Sequence, residues 1–235
     1  MDRGEDRQGP GAAGEPHWER RAAARVVQGA RDRLLARSRK FVDKATELVA
    51  RDGVDGLTVR TVLCETGLSR RAFYQRFAGK DDLLVAVFEE AMRRAAERFR
   101  AGFEEERIRD PLDRLRYVVT QMIAGAFSEA TEGGGGLSPA MSREHLRLAE
   151  SRPTELRQAL APTIDLMAET ISAGMERGIV RPGDSRELAL LVHNLVSSTI
   201  HSALLGDPRP SDVEHTTGVV WEFCRRALEV RRGED

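Results

Sequence analysis

The sequence predicts an all-α protein in two parts, a small helix-turn-helix domain near the N-terminus and a larger helical domain after it. Three observations carry that expectation. Ala, Leu, Arg and Glu are abundant while aromatic residues make up 5% of the 235 residues, a balance that favours helices over sheets. Apolar residues recur at spacings of three and four along most of the chain. Charge is divided unevenly: residues 18–80 hold 15 Lys/Arg against 7 Asp/Glu, whereas residues 81–235 hold 20 against 27. The first part attracts phosphate and the second repels it, a division that the formal net charge of -1 conceals.

The elements follow in order. Residues 1–17 are rich in Gly and Pro without periodic apolar positions, and a disordered tail is expected there. Residues 18–36 turn to Ala and Arg, and the basic run continues to Lys40. Two readings stand for it: an arm or extra helix that grips DNA backbone or minor groove, or a solvated leader to the next helix. Phe41, Ala45, Leu48 and Val49 then mark one face of a helix that stops near Asp52-Gly53, since glycine tolerates the left-handed conformation of a helix C-terminus.

Residues 57–82, within an expected domain spanning 37–82, read as two short helices joined by a tight turn. Thr58 can cap the first, with Val62 and Leu63 on its buried side. Gly67 supplies the sharp turn, Leu68 plugs the angle, and Ser69 can cap the second. Phe73 and Phe77 fall four apart on one face, leaving Arg70, Arg71, Tyr74 and Arg76 on others. An aromatic seam behind and guanidinium groups in front suit a helix to the major groove, where Arg pairs bidentately with guanine O6 and N7.

Beyond Lys80, residues 83–235 are expected to form a second helical domain. Leu83, Leu84, Val87, Phe88, Met92, Ala95 and Phe99 keep helical spacing to about Phe103, a linking helix. Asp110-Pro111 opens the next, with proline where its missing N–H costs nothing, and Gly133–Gly136 end it. Without a following Lys-Ser/Thr, that glycine run reads as a connection and not a phosphate loop. Ser138-Pro139 and Pro153 start two more helices, the latter running to Gly178. Asp184 with Glu187, and Ser211 with Glu214, form capping-box patterns. From Leu188 to Leu205 apolar and small residues take almost the whole circumference, and Val213, Val220, Phe223, Cys224, Ala227 and Leu228 make a stripe after it. Such helices need cover on both sides, which predicts a homodimer built from these two helices of each chain.

Residues 37–90 resemble the TetR family of bacterial transcriptional regulators. The resemblance rests on five blocks in order: Arg51-Asp52-Gly53, Leu57-Thr58-Val59-Arg60, Thr66-Gly67-Leu68-Ser69, Phe73-Tyr74-Gln75-Arg76-Phe77 and Lys80-Asp81-Asp82-Leu83-Leu84. Gly178-Ile179-Val180-Arg181-Pro182 before a capped helix is similar to the family as well. The resemblance implies an all-α homodimer with a three-helix DNA-binding unit and a C-terminal ligand-binding and dimerisation domain. It implies phosphate contacts from Thr58, Tyr74 and Lys80, base contacts from Arg60, Arg70 and Arg71, and a double role as cap and phosphate donor for Ser69. Leu63 and Thr66 stand where the family usually has Ala, and Arg71 adds a cation to the recognition surface. The expected partners are a double-stranded, palindromic DNA operator and a small-molecule effector that releases it.

For an apolar or aromatic effector, Met122, Phe127, Met141, Met167, Ile171, Met175, His193 and Trp221 are candidate cavity residues, because Met and aromatics adapt to apolar guests. Each is individually an ordinary core residue on the alternative reading. His145, His193, His201 and His215 lack metal-ligand spacing and are expected to serve as hydrogen-bonding or surface groups. Cys64 and Cys224 form no C-x-x-C pair, so a reducing cytoplasm is expected, with no metal and no cofactor. No stretch approaches a membrane span, and no catalytic constellation or nucleotide fingerprint stands out. Two alternatives remain at this stage: an adaptor that binds protein through its C-terminal helices and has lost its operator, and an activator of the same fold.

Overall fold

The computed structural model describes residues 17–127, 139–204 and 210–230 and separates into two compact units, residues up to Lys40 and residues 41–235. In the first unit, residues 17–40 belong to helix α1 (His17–Gly56), and Trp18, Val26 and Val27 are exposed there. Local hydrogen bonds such as Gln28 to Asp32 and Ser38 to the Leu34 carbonyl are its features.

The second unit opens at Phe41, still in α1, and continues through α2 (Val59–Thr66), α3 (Arg70–Tyr74), α4 (Lys80–Glu105), α5 (Pro111–Phe127), α6 (Pro139–Ser151), α7 (Pro153–Glu176), α8 (Ser185–Leu204) and α9 (Pro210–Leu228). The helix boundaries have local causes. At Gly53 the backbone leaves helical geometry with φ 71° and ψ 178°, where the sequence places its stop. Thr58 and Thr61 form a reciprocal capping box on α2: the Thr61 N–H donates to Thr58 Oγ1 and the Thr58 N–H donates to Thr61 Oγ1. Asp110 Oδ1 accepts from the Leu112 and Asp113 N–H groups at the start of α5, and Asp184 Oδ1 does the same for Arg186 and Glu187 at α8. Pro153 stands in the first turn of α7. α9 is described from Pro210, and the side chain of Ser211 lies outside the described residues.

Apolar burial runs continuously through the second unit. α4 buries Leu83, Leu84, Val87, Phe88, Met92 and Phe99, and α7 lies against α4, α5 and α8 with Met167 and Ile171 fully enclosed. Gly174, in the last turn of α7, lets Val180 of the following turn approach closely, and Val180 and Glu229 form an isolated antiparallel bridge that ties this turn to the end of α9. α8 buries Leu188, Ala189, Val192, Val196 and Ile200 but exposes Leu190 and Leu191, the latter at 59%; on α9, Phe223 is 65% exposed. Among the described residues no helix is long and apolar enough to cross a membrane. The glycine run 133–136 and the tail up to residue 16 lie outside the described residues.

Candidate nucleic-acid interface

Residues 58–80 place a short helix on a rigid aromatic base. Phe73 of α3 meets Phe41 of α1 edge to face at 5.5 Å, Phe77 meets Phe41 at 6.0 Å and Phe73 at 5.5 Å, and all three rings are buried. The turn before α3 is fixed from both sides. Gly67 adopts φ 65° and donates to the Leu63 carbonyl, and Ser69 Oγ accepts from the Ala72 N–H at 3.2 Å. Thr66 fits a buried position because its hydroxyl donates to the Val62 carbonyl at 2.7 Å.

This base turns Arg60, Arg70 and Arg71 outward. All three are exposed, and among the described residues none of them forms an ion pair or hydrogen bond through its side chain. Many other arginines of the chain are engaged: Arg51 is held by Asp52 and Glu65, Arg93 and Arg94 by Glu90, and Arg225 by Glu222 and Glu229. Glu65, the carboxylate of α2, is occupied by Arg51 at 2.8 Å. The α2–α3 surface thus keeps uncompensated positive charge. Tyr74 is 56% exposed and sits edge-on to Phe73 at 5.3 Å, so its hydroxyl end reaches solvent.

Two candidate contacts have other engagements. Lys80 Nζ donates to the Val54 carbonyl at 2.8 Å, joining the start of α4 to the end of α1 just past the Gly53 break, which leaves two of its three N–H donors uncommitted to that bond. Arg76 lies past the end of α3, folds back to donate to the Ala72 carbonyl, and keeps its Nε buried without a hydrogen-bond partner. Thr58 and Ser69 face solvent while capping.

The start of α4 is also joined to α6 and α7. Arg147 on α6 donates to both oxygens of Asp81, at 2.7 and 3.1 Å, and Arg152, just before α7, reaches Asp82 at 3.4 Å. The Arg147 hydrogen bonds hold the Asp81 carboxyl below its ordinary range. Periodicity along single helices gives no sign of these two pairs, because the partners are 66 and 70 residues apart in sequence.

Of the cavity candidates, Met167, Ile171, His193 and Trp221 are buried and Met122, Phe127 and Met175 half-buried; Met141 falls on α6 with its side chain outside the described residues. A cleft of about 320 Å³ opens instead beside Phe103, Arg114, Leu166 and Thr170, and the described candidates do not line it. His145 and His201 stack at 5.4 Å, a juxtaposition that reading the histidines as scattered hydrogen-bonding or surface groups did not foresee. Burial pushes His193 and His145 down to about 4, with His201 and His193 adding to the effect on His145. Cys224 is buried, and desolvation pushes its thiol up to about 11; Cys64 is exposed.

A capped helix pair joined by a left-handed glycine, with unpaired guanidinium groups on its outer face, defines a helix-turn-helix DNA-binding protein. Residues 41–87 match the family described as bacterial regulatory proteins, tetR family, and this part of the chain is a TetR-type DNA-binding domain of a transcriptional regulator. No curated protein matches it. Solved structures share its fold at low identity. RolR in complex with resorcinol is 16% identical with a TM-score of 0.65, covering 85% of this chain and 91% of that one. A TetR-family regulator from Pectobacterium atrosepticum is 19% identical with a TM-score of 0.62, covering 86% and 98%. FadR from Bacillus subtilis in complex with stearoyl-CoA is 16% identical with a TM-score of 0.55, covering 81% and 98%.

Proposed function

We propose that the chain is a cytoplasmic, dimeric repressor whose two α3 helices enter successive major grooves of a palindromic operator and leave it when a small molecule occupies the C-terminal domain. The observation that carries this reading is the exposed, unpaired set Arg60, Arg70 and Arg71 on a braced helix pair. Arg60, Arg70 and Arg71 read base edges, while Thr58, Ser69, Tyr74 and Lys80 hold phosphates and fix the register. Arg76 supports the end of α3 and adds positive charge close to the backbone.

Dimerisation is supported by the apolar side chains that α8 and α9 leave exposed, Leu190, Leu191, Val219 and Phe223. A two-fold contact through them would bury what one chain cannot. Effector release is supported by the ion pairs at the start of α4. A ligand that favours a different position of α6 strains Arg147–Asp81 and Arg152–Asp82, and α4 then carries the DNA-binding unit out of the groove spacing of about 34 Å. RolR and FadR, which share the fold, hold an aromatic and a fatty-acyl ligand respectively, in keeping with an apolar or aromatic effector here.

The test is fluorescence anisotropy with the DNA upstream of the gene, against a scrambled duplex, across a salt series. Specific binding tighter by a factor of about a thousand or more is expected. Arg70→Ala should weaken operator binding by about 1–3 kcal/mol and relax base preference, whereas Lys80→Ala should weaken both duplexes alike and flatten the salt dependence. Equal, weak binding of the native protein to both duplexes would remove the operator reading.

A further inference from the structure

Two imidazoles that are remote in sequence, His145 and His201, come together in the C-terminal domain, and a third, His193, lies on the same helix as His201. His145 on α6 and His201 on α8 stack with centroids 5.4 Å apart and planes 11° from parallel, and the Phe88 ring of α4 lies 6.3 Å from His145. His193, two turns earlier on α8, is 3% exposed and near enough to His145 to act on it electrostatically. Its Nδ1 is buried with no hydrogen-bond partner. An unsatisfied buried nitrogen is costly, and each such group calls for an occupant or a role. The nearest charged groups along α6 are committed elsewhere, Arg147 pairing with Asp81 and Glu144.

We propose that His145, His193 and His201 form the polar recognition point for a neutral, hydroxyl-bearing aromatic effector, a phenol by chemical class, and that they discriminate against carboxylates. This rests on the reading of the C-terminal domain as the effector-binding part and adds the class of the effector. A hydroxyl both donates and accepts, so it satisfies His193 Nδ1 in either imidazole tautomer without creating a charge. An aromatic ring finds ring partners in the stacked imidazoles and Phe88. A carboxylate would need an imidazolium opposite it, and burial beside two further imidazoles opposes that charge. His145 also stands two residues before Arg147 on α6, so an occupant of the cluster acts on the helix that grips Asp81.

The experiment compares three probes built on one benzene ring, phenol, benzoate and toluene, on the full-length protein, by calorimetry and by the imidazole ¹⁵N resonances. Phenol should bind about tenfold or more tightly than either analogue and shift the His145 and His193 signals. His193→Leu, close in volume, should lower phenol affinity to that of toluene and leave toluene unchanged; His193→Gln, which keeps a polar group, should retain part of the preference. Benzoate binding as tightly as phenol, phenol binding no better than toluene, an unaltered phenol affinity in His193→Leu, or unmoved imidazole signals at saturating phenol would each overturn the proposal. Operator anisotropy on the same samples separates the two readings. Phenol bound at the cluster with unchanged operator affinity removes effector release and leaves the recognition site standing, while an intact operator complex with phenol silent removes the recognition site alone.

Discussion

Lowering the pH from 7.5 to 5 should destabilise the folded chain by about 4 kcal/mol through two histidines. His145 and His193 are held down to about 4 in the folded state, by burial first and, for His145, by the neighbouring imidazoles. In the unfolded chain each returns to about 6.5. The unfolded state therefore binds protons that the folded state refuses. Stability is fully retained above about 6.5, falls as pH drops towards 4, and levels off below it. At pH 5 linkage gives about 2 kcal/mol for each histidine, against almost nothing at pH 7.5. The carboxylates held low by arginine, Asp81 and Glu90 among them, act in the other direction: their contribution is present above an unfolded value of about 4 and is lost below it, outside this window. Urea denaturation at one protein concentration, at pH 7.5, 6.5, 5.5 and 5.0, reads the slope, and the doubly substituted His145→Gln, His193→Gln chain should lose it. A native chain as stable at pH 5 as at 7.5, or an unchanged slope in the double variant, would refute the buried, neutral cluster.

Three further outcomes are expected. Gly67→Ala should cost about 1–2 kcal/mol in chemical denaturation, because φ 65° disfavours a Cβ although nothing lies within 4 Å of it, and Gly67→Asn should cost less. Gly174→Ala should cost about 1–3 kcal/mol by the same measurement, since the added Cβ would lie 2.5 Å from Cγ2 of the buried, stiff Val180; a loss below about 0.3 kcal/mol would show that the turn yields freely. A double-mutant cycle on Arg147→Ala and Asp81→Ala should give a coupling of no more than about 1 kcal/mol in stability, because both side chains are substantially exposed, yet each single variant should shift operator affinity if the pair positions α4.

The helix-turn-helix was legible in the sequence because its causes are local. A cap, a left-handed glycine and an aromatic seam each act within about one turn, so Thr58, Gly67, Ser69, Phe73 and Phe77 carry their own instructions. The side-chain engagements of that unit were less legible. Lys80 reads as a phosphate ligand from its block, and its tie to the Val54 carbonyl depends on how the end of α1, past the Gly53 break, folds against the start of α4. Arg76 reads as one more outward cation, yet it bends back over the end of a helix shorter than its aromatic spacing suggests.

In the C-terminal domain the sequence determined where helices start and stop: Asp110, Pro153 and Asp184 mark ends through bonds or a missing donor reaching only two or three residues. It also determined the total apolar surface of α8 and α9, though not which part faces inward. Only the tertiary structure decided that Leu191 and Phe223 stay exposed, that His145 meets His201, and that Arg147 grips Asp81 across 66 residues. The physical reason is one of range. Capping and backbone preference are settled between near neighbours, whereas burial, imidazole neutrality and ion pairing between helices depend on which faces meet, and many packings share one periodicity.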